Sequence, residues 1–185
     1  MKIIGITGTL GAGKGTIVEY LVREKHFLHY SVRDFLKRIL LAEGKVPNRD
    51  NYVVLANSLR EQHGASYIVD CLYEEANQSG ENAIIESIRT PGEVNSLRGK
   101  GSFILFAVDA DPRIRYQRIV ARNSETDQIS FEEFLANEAR EMQATDPNHQ
   151  NLAACIALAD FRFQNNGTIE ELYAQVETVL LKLGI

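Results

Sequence analysis

Between Gly8 and Thr16 the chain reads Gly-Thr-Leu-Gly-Ala-Gly-Lys-Gly-Thr, after the apolar run Ile3-Ile4-Gly5-Ile6 and before the amphipathic run Ile17 to Val22. That order predicts a strand, a tight turn and a helix. Glycines at Gly8, Gly11, Gly13 and Gly15 let the backbone turn sharply and aim several N–H groups at one point. The helix N-terminus adds the positive end of its dipole there. Lys14 supplies a mobile point charge for the outer phosphates of a nucleoside triphosphate, with Thr9, Leu10 and Ala12 filling the turn. The spacing, Gly, four residues, then Gly-Lys, is that of a phosphate-binding loop with one departure. Gly15 stands where a hydroxyl is expected, and Thr16 follows it.

With 185 residues the chain suits one domain with room for a small insertion. A net charge of −5 argues against general nucleic-acid binding through a basic surface. No apolar run approaches the ~20 residues of a membrane span. The N-terminus enters a strand almost at once, so no signal peptide is expected. Cys71 and Cys155 sit in apolar helical patterns without metal-ligand spacing, so both are expected as buried free thiols of a cytoplasmic protein. The four histidines form no ligand pair at helical spacing, and no nitrogen-built metal site is expected.

Along the chain, strands are expected at 27–31, 82–87, 103–108 and 161–164. Helices are expected at 34–43, 52–63, 67–78, 93–97, from Asp111-Pro112 to about Arg122, from Ser130 onward, and at 169–183. Residues 123–129 and 145–151 read as polar, turn-like segments, and the apolar stretch 152–158 is ambiguous. Most strands are short continuous apolar runs, which are covered on both faces, so the pattern predicts a parallel α/β sandwich. Ligands in such folds bind beyond the carboxyl ends of the strands. The glycine-rich loop, Ser31, Glu86 and Asp109 all fall at such ends.

Further groups join that edge. Ser31, Asp34 and Lys37 can grip an acceptor, or Ser31 can simply cap the helix that follows. Glu86 can orient waters on Mg²⁺, and Arg89 can clamp a phosphate in fork geometry. Arg115, Arg118 and Arg122 recur at three- and four-residue spacing along one helical face. Positive charge over a migrating phosphoryl group is what Arg118 and Arg122 can supply, with Arg140 closing from a flap and Arg60 as a further phosphate-binding candidate.

Taken together these marks resemble the adenylate-kinase-like nucleoside-monophosphate kinases. The chain is most similar to the dephospho-CoA-kinase-related and archaeal adenylate-kinase-related branches. Glycine after Lys14 is the form of the loop in that family. Ser31-x-x-Asp34-x-Leu36-Lys37 resembles its acceptor motif, and Glu86-Ser87-Ile88-Arg89-Thr90 its acid-glycine-x-arginine motif. Residues 118–122 resemble the helix leading into the lid, and residues 159–165, ending in Asn165, the loop that holds the donor adenine. Glu86 replaces the usual aspartate, Ser87 a glycine and Arg33 another glycine, and the lid lacks cysteines for a structural zinc.

The resemblance implies a three-layer P-loop α/β/α sandwich with a five-stranded parallel sheet. It divides the chain into a core (1–31, 82–122, 152–185), a helical acceptor-binding region (about 32–81) and a short lid (about 123–151). It implies Mg²⁺-dependent transfer of the ATP γ-phosphoryl group to a nucleoside or deoxynucleoside monophosphate. Thr16, and Glu86 through water, would place the metal. Asp34, Lys14, Arg89, Arg118 and Arg122 are its catalytic candidates; Ser31, Asp34, Lys37, Arg60 and Arg89 would hold the acceptor. Two other readings stay open: a dephospho-CoA kinase, with Asp34 as base, and a regulatory nucleotide-binding ATPase without a small acceptor. The expected partners are ATP and a small nucleotide-like acceptor, bound to a monomer or small homo-oligomer. No guanine signature occurs, since none of the seven lysines is followed two residues later by Asp.

Overall fold

The strand Ile3–Gly8 (β1) is buried at every residue and lies at the centre of the sheet. A computed structural model describes residues 1–122, 129–143, 146 and 149–185. Beside β1 stand Leu28–Ser31 (β2), Ala83–Glu86 (β3), Phe103–Asp109 (β4) and Phe161–Gln164 (β5). All pair in parallel, in the order β2-β3-β1-β4-β5. This is the parallel α/β sandwich that the apolar runs predict, with the five strands that the resemblance implies.

Adjacent residues of one strand face opposite sides. Ile3, Ile85 and Leu105 belong to a core that includes Val32, Leu36, Ile68, Leu72, Val94 and Leu97. Those residues come from the helices Val32–Ala42 (α2), Tyr67–Ser79 (α4) and Pro91–Gly99 (α5), with Arg49–His63 (α3) adding Ala56. Ile4, Ile84 and Phe106 face a second core with Ile17 and Leu21 of Lys14–Lys25 (α1) and Leu172, Val176 and Leu180 of Ile169–Leu183 (α9). Two helical layers therefore cover the sheet.

Pro112–Arg122 (α6), Phe131–Met142 (α7) and Leu152–Ala157 (α8) complete the described helices. The ambiguous stretch 152–158 is thus helical, capped by Asn151, whose Oδ1 accepts from Ala154 N–H at 3.1 Å. Helix α3 starts three residues before the expected Tyr52, because Asn48 Oδ1 accepts from Asn51 N–H at 2.8 Å and caps it. The expected lid, 123–151, lies partly outside the described residues, as do most of the turn at 123–129 and part of the break at 145–151. Cys155 is buried, but Cys71 is only half-buried, since it lies on the flank of α4. Among the described residues no helix is long and apolar enough to cross a membrane.

One buried carboxylate locks the segment after β3. Glu93 is fully buried; its Oε1 accepts from Arg60 Nε and Nη2 at 3.1 and 2.8 Å. Its Oε2 accepts from the backbone N–H groups of Arg89 and Thr90 at 2.6 and 3.0 Å. Every lone pair that matters is used, as a buried carboxylate requires. Glu93→Ala leaves the Arg60 guanidinium buried without its counter-ion, and we expect about 3–5 kcal/mol less stability by urea denaturation.

Candidate active site at the carboxyl edge of the sheet

The loop begins where β1 meets β4. Gly8 has φ 142°, and a Cβ there would lie 2.1 Å from the Val108 carbonyl oxygen, so no side chain fits. Gly13, at φ 107°, is the N-cap of α1 and offers no side-chain cap, and the first turn carries no acid. Thr16 and Ile17 N–H donate to the Gly13 carbonyl at 3.1 and 3.2 Å, and the N–H groups of Lys14 and Gly15 are the ones open to an anion. The loop is braced from behind. Thr9 Oγ1 donates to Asp109 Oδ1 at 2.6 Å, and Asn165 Nδ2 donates to the Ala12 carbonyl at 2.8 Å.

Lys14 Nζ donates to the carbonyls of Gly8 and Thr9 at 2.9 and 2.8 Å. Burial of the ammonium, followed by the nearby Arg89, pushes its pKa down to about 7, with Glu86 and Glu141 pulling the other way. Glu86 ends β3, and its Oε2 lies 3.0 Å from His29 Nε2. Burial pushes the Glu86 carboxyl up, but the His29 hydrogen bond, Lys14 and Arg89 outweigh it and hold the group below its usual range. An ionised carboxylate and the Thr16 hydroxyl on one cavity wall are hard oxygen donors. Few protein ligands plus substrate phosphates is the pattern that suits Mg²⁺. Among the described residues no cluster of three His, Cys, Asp or Glu could hold a metal alone.

From the loop a cavity of about 920 Å³ extends to α2 and α3. Seven of its lining residues are Lys or Arg (Lys14, Arg33, Arg49, Arg60, Arg89, Arg118 and Arg122) against four acids (Glu19, Asp34, Glu86 and Glu141). Arg118 Nη2 lies 3.5 Å from Asn165 Oδ1. Its Nη1, like Nη1 of Arg60, is buried without a hydrogen-bond partner among the described residues. A native protein rarely leaves such donors unmet without a reason, and a ligand oxyanion is one. Arg33 lies over the Tyr52 ring at 5.3 Å.

Leu10, Gly11, Gly13, Lys14, Gly15, Thr16, Ser31, Asp34, Arg60, Glu86, Arg89, Arg118, Arg122 and Asn165 line the cavity, while Gly8, Thr9 and Ala12 shape the loop from beneath. Ser31 also caps α2, accepting from Asp34 N–H at 3.2 Å. Lys37 and Arg140 do not line the cavity; both are exposed. Lys37 lies three residues beyond Asp34, roughly 4.5 Å farther along α2 and away from the sheet edge. Arg140 turns to Asn137, and its neighbour Glu141, about 100° around α7, takes the inward position. Arg115 braces rather than lines. Nearly buried, it donates to the carbonyls of Ala110 and Leu10 at 2.7 and 3.2 Å and pairs with Glu138 of α7.

His29, Arg49, Tyr52, Glu141 and Gln150 also line the cavity without having been singled out from the sequence. Arg49 alone would have carried a signal, had the start of α3 been legible. It opens α3, the dipole end where a cation is disfavoured unless an anion is near.

A central parallel strand, a glycine-rich loop feeding a helix and an adjoining arginine-lined cleft define a P-loop kinase-like domain. The chain belongs to the AAA domain family, whose model matches residues 4–146. It is similar to the UPF0200 protein of Methanococcus vannielii, 30% identical over 186 residues that cover 99% of this chain and 97% of the relative. Its fold is similar to a shikimate kinase from Bacteroides thetaiotaomicron, with TM-score 0.62, 14% identity and 100% and 99% of the two chains covered. A gluconokinase from Sinorhizobium meliloti 1021 aligns with TM-score 0.61 and 13% identity, over 98% and 93% of the chains. At these identities the likeness is one of fold.

The depressed pKa of Lys14 has a measurable consequence. Between about pH 7 and its ordinary 10.5 the unfolded chain binds more protons, so this group makes the free protein more stable as pH rises through that window. Phosphates held by the loop would restore the ammonium. At pH 8, binding of ATP is expected to take up a large part of about one proton, seen by calorimetry in buffers of different ionisation enthalpy. Uptake should vanish below pH 6 and in Lys14→Met.

Proposed function

We propose that the protein transfers the γ-phosphoryl group of ATP, with Mg²⁺, to a small acceptor of the nucleoside monophosphate kind. The observation that carries this reading is one continuous cavity lined both by the phosphate loop and by Arg49, Arg60 and Arg89. Two anionic substrates can meet there, between groups anchored on separate elements.

The N–H groups of the loop and Lys14 would hold the donor's outer phosphates, while Asn165 stands beside the loop on the donor side. Thr16, and Glu86 through water, would hold Mg²⁺, which when bound neutralises charge shared between the donor's phosphates. Arg118 and Arg122, which line the cavity from α6, would stabilise charge on the migrating group. Arg89, with Arg60, would fix the acceptor in line. No side chain need bond covalently, because positioning and electrostatics supply most of the acceleration in this chemistry. The lining of seven cations in a chain of net charge −5 focuses phosphates toward one cleft.

A second reading is a hydroxyl acceptor, as in a dephospho-CoA kinase. It is favoured by Asp34, which stands on the cavity wall where a base could receive a hydroxyl proton. The fold neighbours named as kinases of shikimate and gluconate agree with it. The density of arginine at the acceptor end favours a phosphate-bearing acceptor over this alternative.

A coupled ATP assay against nucleoside monophosphates, deoxynucleoside monophosphates and dephospho-CoA separates the readings by product. Lys14→Ala and Arg89→Ala are each expected to lower transfer by about a hundredfold or more while the circular-dichroism spectrum is kept. A folded protein that binds ATP and phosphorylates none of the panel ends the kinase reading. ATP hydrolysis indifferent to acceptors but raised by a protein partner would favour a regulatory ATPase.

A further inference from the structure

Among the described residues α7 gives the cavity one side chain, Glu141, and its carboxylate spans two elements. One oxygen pairs with Arg49 at the start of α3; the other accepts from Arg89 Nη1 at 2.9 Å. The backbone of each arginine is anchored independently of it. Arg49 belongs to a 15-residue helix capped by Asn48, whose positive dipole end adds to its charge. Arg89 is pinned by its own backbone, donating to Glu93 at 2.6 Å and accepting from Asn151 N–H at 2.9 Å. Arg60 lines the same cavity and has a buried Nη1 without a partner among the described residues. Burial pushes the Glu141 carboxyl up, yet Arg89 and Arg49 outweigh it and hold the group below its usual range. The arrangement is an oxyanion site filled by an oxyanion of the chain itself.

We propose that Glu141 is an internal stand-in for the acceptor's phosphate, and that the acceptor binds by displacing it from Arg49 and Arg89. This rests on the phosphotransfer reading and names the group by which the acceptor is recognised, a phosphate monoester. A carboxylate brings one charge and two oxygens to the two guanidinium forks. A phosphate monoester brings about −1.5 to −2 charges and three oxygens, enough for both forks and for the unmet donor of Arg60. A neutral hydroxyl compound has nothing to exchange for the carboxylate. Because Glu141 is tethered, it competes at high effective concentration and lowers the apparent affinity of any anion for these arginines. The same competition shields them from stray anions until an acceptor arrives, and it couples acceptor binding to release of α7.

The test titrates inorganic phosphate, AMP and acetate into the full chain by calorimetry, with the donor end saturated by Mg²⁺ and a non-hydrolysable ATP analogue. If the paired state outweighs the free one by about ten to one, Glu141→Gln binds phosphate and AMP about tenfold tighter than the parent. Acetate gains much less. In the double variant Arg49→Ala/Glu141→Gln the gain is lost. Glu141→Asp, which keeps the charge but is one methylene too short to span both arginines, shows an intermediate gain. A larger rise in Tm with phosphate for Glu141→Gln than for the parent shows that the variant is folded. Unchanged or weaker phosphate binding in folded variants, a gain that survives loss of Arg49, or no phosphate binding in any form overturns the proposal. Failure of the ATP assay alone overturns the kinase reading and leaves these binding results to decide the exchange.

Discussion

Seven lysine and arginine side chains face one cleft in a chain of net charge −5, and each must be kept from driving its neighbours away. Two unit charges 4 Å apart interact by about 4 kcal/mol at an effective dielectric of 20, which is comparable with the stability of a whole domain. Tethers solve the problem. Glu93 holds Arg60, Glu141 holds Arg49 and Arg89, Asn165 lies against Arg118, and two loop carbonyls hold Lys14. At Lys14 the charge gives way instead, as burial and then the nearby Arg89 lower its pKa to about 7. The cleft is thus poised to gain from phosphates without depending on them to stay folded.

The tethers matter because the sheet brings their owners together. In register, Ser31 pairs with Glu86, Ile6 with Glu86 on the other side, and Gly8 with Val108, so the strand ends form one edge. Behind the loop, Arg115 ties the Leu10 carbonyl to Glu138 of α7. The helix that supplies Glu141 to the acceptor arginines is therefore also braced, through a buried guanidinium, to the donor loop. One element touches both ends of the cleft, and a change at either end is felt through α7.

How much of this could be read from the chain follows from the range of each interaction. The strands were legible because continuous apolar runs bounded by breakers have few other uses. The loop was legible because its glycines and lysine lie within nine residues of each other. Helix α3 was clipped by three residues because its Asn48 cap hides among polar loop residues, and α8 is too short for a periodic pattern. Cationic candidates at strand ends could be named by residue type, and most line the cavity. Their partners could not. Arg49 and Glu141 stand 92 residues apart and Arg60 and Glu93 33 apart, and no local pattern announces either pair. Lys37 and Arg140 show the converse, since a correct element does not say which of its residues turns inward.

Two local departures from backbone rules fall at the site. Ser87 adopts φ 73°, a left-handed conformation costly for a residue with a side chain, directly after Glu86. The resemblance expects glycine there, and the observed dihedral gives the physical reason for that expectation. Gly15 presents the opposite case. Its backbone has no positive φ, and nothing lies within 4 Å of where its Cβ would stand. Neither strain nor protein packing calls for glycine at this place in the first turn of α1, where it costs roughly 1 kcal/mol relative to alanine. It lines the cavity, however, so a side chain would project into the space beside Lys14 that donor phosphates are expected to use. The apparent flaw in the loop is better understood as clearance for a ligand, with the hydroxyl displaced one residue to Thr16.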